Sequence, residues 1–278
     1  MKIVKTLIAL ILLATSITSC QKVVELKVAE PDPQVAVEGV ITNTAGESYV
    51  KLQWTKTYFS TEAPDAVREA LVTIADDEGN IVVFSENLPG LYKGPDSFTG
   101  FIGRTYHLEI EYDGGTLQAT STLQDTVRVL GLELVKARAG DLQWEEGYHL
   151  IGTMANQPSI KNYFRTEAMI NGKRQLSTAS DLVVFDDQAF GQGLTASGVI
   201  AYWDEEDETK PQVGDTLSIR LYSLDESSYN FYLALADTPM QGGLFGKTPA
   251  NVPSNIKGGI GLFQACAYTL SGDVMVTE

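Results

Sequence analysis

The sequence predicts a mostly β protein built as two β-sandwich domains, the second carrying one amphipathic helix. Three observations predict it. Apolar residues recur with period two over long stretches, polar turn signals punctuate those stretches, and a single segment has helical spacing. Alternation places apolar side chains on one face of a strand and polar ones on the other, because successive residues of a pleated chain point to opposite sides. Val50, Leu52 and Trp54 alternate with Lys51, Gln53 and Thr55; Tyr106, Leu108, Ile110 and Tyr112 alternate with His107, Glu109 and Glu111. The turn signals are residues 43–46, 77–80 and 113–115 and the pair Asn171 and Gly172, which favours a tight hairpin. In the exceptional segment Tyr229, Tyr232, Leu233 and Ala236 fall at i, i+3, i+4 and i+7. Ser223 and Glu226 precede them at capping-box spacing, and Pro239 stops the run. A helix of about three turns packed over a sheet is expected there.

Ahead of those elements stand Lys2 and Lys5, the apolar stretch Leu7 to Ala14, and then small residues, the order of a cleavable secretory signal over residues 1–19. The apolar part is too short for a mature transmembrane helix, which needs about twenty residues. Ile17, Thr18, Ser19 and Cys20 resemble the lipobox of bacterial lipoproteins. That resemblance implies lipidation of Cys20 and attachment to a membrane through it. Each buried methylene contributes about 0.8 kcal/mol, so two or three acyl chains hold where one is marginal. Residues 20–33 read as a lipidated tether, 34–123 as an N-terminal sandwich and 124–278 as a C-terminal β-rich domain. The boundary is placed where the strand from Leu117 gives way, near residues 122–125, to the apolar run 127–135. The other cysteine, Cys266, lies in the apolar run 261–268 and reads as a small buried hydrophobe.

The chain has 20 basic and 36 acidic side chains, a formal charge of −16; removing residues 1–19 takes away Lys2 and Lys5 and leaves 18 basic ones. Such a body repels phosphate backbones and anionic headgroups, so no nucleic-acid partner is expected and the membrane is reached through lipid. Histidine is scarce: His107 and His149 have no metal-ligand neighbour at i+2 or i+4. Neither a nucleophile elbow nor a phosphate-binding glycine loop is present. No catalytic residue, cofactor or metal is assigned on these grounds, and the chain is read as a non-enzyme. The acidic cluster 204–208 reads as a solvated hairpin tip, because five adjacent charges lack the spaced ligands of a calcium loop. Among the tryptophans, Trp54 is expected in the core and Trp203, at a strand end, is the ring expected to be exposed.

Residues 239–261 are rich in glycine and proline and poor in large apolar side chains, so a long ordered loop is expected across one end of the C-terminal domain. Leu244 and Phe245 would anchor it, Asn255 would face inward and hydrogen-bond, and Gly258 and Gly259 would let main chain approach closely. These five residues form the candidate interaction loop. The alternative reading is that the glycines only admit the final strand to the sheet.

Two stretches carry a family resemblance. Val35 to Ile41, Ala70 to Ile74, the turn 76–79, Gly90 to Tyr92 and Gly103 to Leu108 are similar to transthyretin-like, prealbumin-type sandwiches, an Ig-like arrangement. Val213 to Leu217, the helix, Gly242 and Gly243, residues 253–256 and Gly258 to Phe263 follow. Together with the lipobox these resemble the Bacteroidota lipoprotein family catalogued as domain of unknown function 4249. The resemblance implies an outer-membrane lipoprotein, at the cell surface or on the periplasmic face. It further implies an accessory of a TonB-dependent outer-membrane receptor that serves as partner or captures ligand. The alternatives are a fimbrial or adhesin-type subunit, for which cleavage at Arg68 would open a strand-accepting groove, and a surface glycosidase using two of the carboxylates.

Overall fold

The structure is a computed structural model that describes residues 32–57, 60–155, 161–175, 182–187, 195–236 and 252–277. The N-terminal half supplies β1 (Val35–Thr42), β2 (Tyr49–Trp54), β3 (Leu71–Asp76), β4 (Ile81–Leu88), β5 (Leu91–Lys93), β6 (Thr105–Tyr112) and β7 (Gly115–Thr122). The rest supplies β8 (Val129–Ala137), β9 (Gly147–Ala155), β10 (Tyr163–Ile170), β11 (Lys173–Arg174), β12 (Val183–Asp186), β13 (Thr195–Trp203) and β14 (Thr216–Leu224). After these come the helix α1 (Glu226–Ala236), β15 (Ile260–Leu270) and β16 (Val274–Met275). The chain is mostly β, with two sheets and a sandwich-type core.

Among the described residues, 13 strands join one continuous sheet ordered β11-β10-β14-β15-β1-β2-β5-β4-β3-β6-β7, with β12 also on β10 and β16 on β14. The second sheet is β13-β9-β8. Period-two alternation sets the faces. In β1 Val35, Val37 and Ile41, and in β15 Phe263, Ala265 and Ala267, point into the core made by β2 to β7. The N-terminal half of the long sheet rolls around this core until β7 lies against β15, and a bridge pairs Gln118 with Lys257. On the same side of the sheet, Leu217, Ile219 and Leu221 of β14 and Phe164, Ala168 and Ile170 of β10 pack on the three-stranded sheet through Leu150, Met154, Ile200 and Trp203. One side of the long sheet is thus covered by β structure along its length. The other side of β10, β14, β15 and β1 carries α1.

Several expectations are met in detail. Val50, Leu52, Leu108 and Ile110 are buried, Asn171 (φ 51°) and Gly172 (φ 72°) turn the hairpin from β10 to β11, and Cys266 is fully buried. Others need correction. The boundary placed between residues 123 and 124 is crossed by pairing: residues 33–278 form one compact unit, because β15 lies parallel beside β1, from Ala36 with Ile260 to Thr42 with Cys266. Trp203 is buried rather than exposed, since its strand faces the core of the second sheet. Ser223 lies inside β14, and the helix is capped by Asp225, whose Oδ1 accepts the Ser228 N–H at 2.8 Å. Leu233 points outward, while Ser228 and Tyr232 turn toward the sheet.

Gly261 makes the parallel pairing possible. It has φ +114°, and a Cβ there would lie 2.0 Å from the Val37 carbonyl oxygen. Gly261→Ala is expected to destabilise the chain by about 2–4 kcal/mol, the sum of backbone strain and steric overlap. Gly131, around which a Cβ would meet open space, should tolerate alanine within about 0.5 kcal/mol. Urea unfolding of both variants checks this contrast.

Candidate functional site

The side of the sheet that carries α1 also holds a cavity of about 820 Å³. Its walls follow from strand alternation. Arg165, Glu167 and Met169 are the odd residues of β10, opposite in direction to the Phe164, Ala168 and Ile170 that pack on the second sheet. Arg220 and Tyr222 of β14, Gln264 and Cys266 of β15, and Glu38 and Val40 of β1 face the same way. Phe231, Tyr232 and Leu235 of α1 close part of the opening. Eleven residues of helix cannot cover these four strands, so charged side chains survive at the floor.

Arg165 is the centre of the arrangement. It is 5% exposed, and its guanidinium lies between the rings of Tyr222, at 4.2 Å, and Tyr232, at 4.8 Å. Its Nη1 donates to Glu167 Oε1 at 2.6 Å; Arg174 reaches the same oxygen at 2.8 Å, and the Tyr222 hydroxyl donates to Oε2 at 2.9 Å. One carboxylate therefore serves two arginines. Gln264 Nε2 donates to the Tyr232 hydroxyl at 2.7 Å. Nearby, Arg220 stacks on Tyr268 and approaches Glu47 only to 3.8 Å. Three buried polar atoms of this set have no hydrogen-bond partner among the described residues: Arg165 Nε, Arg220 Nε and Gln264 Oε1. An unmade buried hydrogen bond costs about 1–3 kcal/mol, so each such atom calls for an explanation.

Titration in the cavity is pushed away from neutrality. Burial raises the Tyr222 hydroxyl to about 12, with Glu167 adding to the rise, and burial raises the Cys266 thiol to about 12. Burial alone would also raise Glu167, but the Arg165 charge and hydrogen bond, Arg174 and Tyr222 together hold its carboxyl below the usual range. The lining thus presents fixed charges, fixed hydroxyls and aromatic faces at neutral pH.

Of the residues singled out from sequence, Cys20, Leu244 and Phe245 lie outside the described residues. Asn255, Gly258 and Gly259 stand where the chain enters β15, away from the cavity floor. The Asn255 side chain pairs with the main chain of Phe263 twice, donating to its carbonyl at 2.7 Å and accepting its N–H at 2.9 Å. A Cβ on Gly258 would lie 2.9 Å from the Thr116 carbonyl oxygen, and one on Gly259 2.7 Å from that of Val35. These glycines are spent on the chain's own strands β7 and β1. The cavity residues Arg165, Glu167, Arg220 and Gln264 were not anticipated. Their signal was present: in the strand YFRTEAMI two opposite charges at period two, with Thr166 between them, interrupt an apolar run, the pattern of a charged pair pointing inward.

Two outcomes are expected. Asn255→Ala should cost about 1–3 kcal/mol by orphaning the Phe263 main chain, read by urea unfolding. Glu167 has a folded-state pKa below its unfolded value of about 4.3, so its contribution is full above that value and is lost as pH falls through the folded one. Glu167→Gln leaves Arg165 buried without a counter-charge and should cost about 3–5 kcal/mol at neutral pH. Its penalty should shrink as unfolding is repeated at pH values falling below about 4.

No curated protein matches the chain. One family pattern does, that described as Domain of unknown function (DUF4249), and it matches residues 21–271, which include every strand of the long sheet except β16 and the whole of the cavity lining. The chain belongs to that family.

Proposed function

We propose that the chain is a lipid-anchored, non-enzymatic binding protein of the outer membrane of a Bacteroidota cell, which captures a ligand and serves as partner to a TonB-dependent transporter. The observation that carries the binding part is the cavity with its buried, incompletely satisfied arginine held between two tyrosines. Small-molecule sites combine an apolar lining with a few polar groups in fixed positions, in volumes of about 300–1,000 Å³. This lining lies within that volume and sets charged side chains in fixed pairs among aromatic and aliphatic ones. The anchoring part rests on residues 1–20, with lipid on Cys20, and the transporter part on the family resemblance. In this reading the rolled N-terminal half is a transthyretin-like sandwich whose β1 joins β10, β14 and β15 in lining the ligand cavity.

The test is affinity purification of the full chain from native membranes. A β-barrel transporter should be recovered with it, whereas a Cys20→Ser variant, lacking the lipid-bearing residue, should leave the membrane fraction. Repeated recovery of the chain alone overturns the partnership.

A further inference from the structure

We propose that the cavity under α1 takes the C-terminal carboxylate of an apolar peptide, with the peptide's last amide N–H donated to Gln264. This deepens the ligand-capture reading and rests on it.

Three features of the lining define the ligand. First, arginine donors are in excess. Arg165 and Arg174 share the single carboxylate of Glu167, and Arg220 stands 3.8 Å from Glu47, beyond hydrogen-bond length. The cavity's carboxylates are meanwhile already committed. Glu167 accepts from two arginines and Tyr222, Glu38 accepts from the Tyr49 hydroxyl at 2.5 Å, and Glu47 accepts from the Tyr268 hydroxyl at 3.0 Å. The three arginines and three glutamates balance in formal charge, so an anion entering here escapes the repulsion of a chain whose net charge is −16. A planar carboxylate matches the guanidinium fork in geometry as well as charge.

Second, the acceptor Gln264 Oε1 is buried and without a partner among the described residues, while the amide nitrogen of the same side chain is occupied by Tyr232. What it lacks is a donor. Arg165 and Gln264 both touch Tyr232, one on the ring face and the other at the hydroxyl, so a carboxylate and an N–H donor must be close neighbours in the ligand. A peptide C-terminus joins those two groups through one Cα. Two of the three unpartnered atoms, Arg165 Nε and Gln264 Oε1, are sealed from water in residues that touch Tyr232, so binding requires that side chain, carried by α1, to move aside.

Third, most of the remaining side chains of the lining are apolar, among them Val40, Met169, Leu182, Phe231, Leu235 and Leu262. Aliphatic walls suit aliphatic or aromatic side chains and leave the hydroxyl groups of a sugar acid unsatisfied. A fatty acid would fill the walls and satisfy the arginines but would bring no donor to Gln264.

The experiment uses the full chain in detergent and three probes: N-acetylated tetrapeptides randomised over Ala, Val, Leu and Phe with free carboxylates, the same mixture as C-terminal amides, and dodecanoate. Binding is read by equilibrium dialysis. The free acids should bind at least about tenfold more tightly than the amides, the expected worth of a charge-assisted hydrogen bond. Arg165→Lys and Gln264→Met should each weaken the free acids by a similar factor, with melting temperature recorded for both. If Arg165→Lys fails to fold, Arg220→Lys, at a half-buried position, takes its place. Equal binding of acids and amides, no binding of either, or dodecanoate binding as tightly as the peptides overturns the proposal. If it falls while a transporter is still recovered from native membranes, the ligand class is wrong and the partnership stands; peptide binding without a transporter is the converse.

Discussion

Main-chain pairing between β1 and β15 organises the molecule. The two strands run parallel with seven residues of each in register, and they come from opposite ends of the described chain. β1 would otherwise be the edge of the N-terminal sheet and β14 an edge of the C-terminal one. β15 joins both, pairing with β1 on one side and with Tyr222 and its neighbours on the other. Closing so long a loop costs little more entropy than closing a shorter one, because the cost grows only with the logarithm of length. What the pairing does demand is close main-chain approach. Gly39, Gly259 and Gly261 supply it, each at a place where a side chain would meet Phe263 or a β1 carbonyl at under 3 Å.

From that ladder follows the difference between the two sides of the sheet. The odd residues of β1, β14 and β15 are covered by strands and form continuous apolar cores. The even residues of β14 and β15 and their counterparts on β1 and β10 have one short helix above them. A charged side chain on the first side would be buried among hydrocarbon, and none of the described residues there is an arginine or glutamate. On the second side, Arg165 and Glu167 are nearly as inaccessible but hold each other, and the tyrosines around them give the guanidinium two aromatic faces. Replacing such a pair by apolar residues often stabilises a protein. Its retention beneath an open cavity, with an N–H left over, fits a binding role better than a structural one.

The strands, their inward faces and the helix were legible because burial imposes a period on sequence, and that period is local. Val50 and Leu52, or Leu108 and Ile110, announce their side of the sheet within a few residues. The cap was misplaced by two positions because Ser223 and Asp225 both have the chemistry for it, and only the end of β14 decides between them. The domain boundary failed for a different reason. Nothing within residues 260–270 says that their partner is at 36–42, since a strand buried on both faces reads as an apolar run whichever neighbour it has. The same limit hid the cavity: Arg165, Arg220 and Gln264 come from three strands, and their convergence is a property of register between them. The glycines near β15 were noticed for their close approach, and the chain's own β1 and β7 are what they approach.

The order in which the strands appear along the chain also constrains how the protein comes into being. A polypeptide is made from its N-terminus, so β1 exists long before the strand that completes it. Until residue 270 has been added, one long edge of β1 offers unpaired N–H and C=O groups to any other extended segment, including those of neighbouring nascent chains. The first core lacks Phe263, Ala265 and Ala267 over the same interval. The N-terminal half therefore cannot reach its final packing until β15 has been made. Loss of the last twenty residues would take the whole of that completing strand with it and leave β1 without its parallel partner.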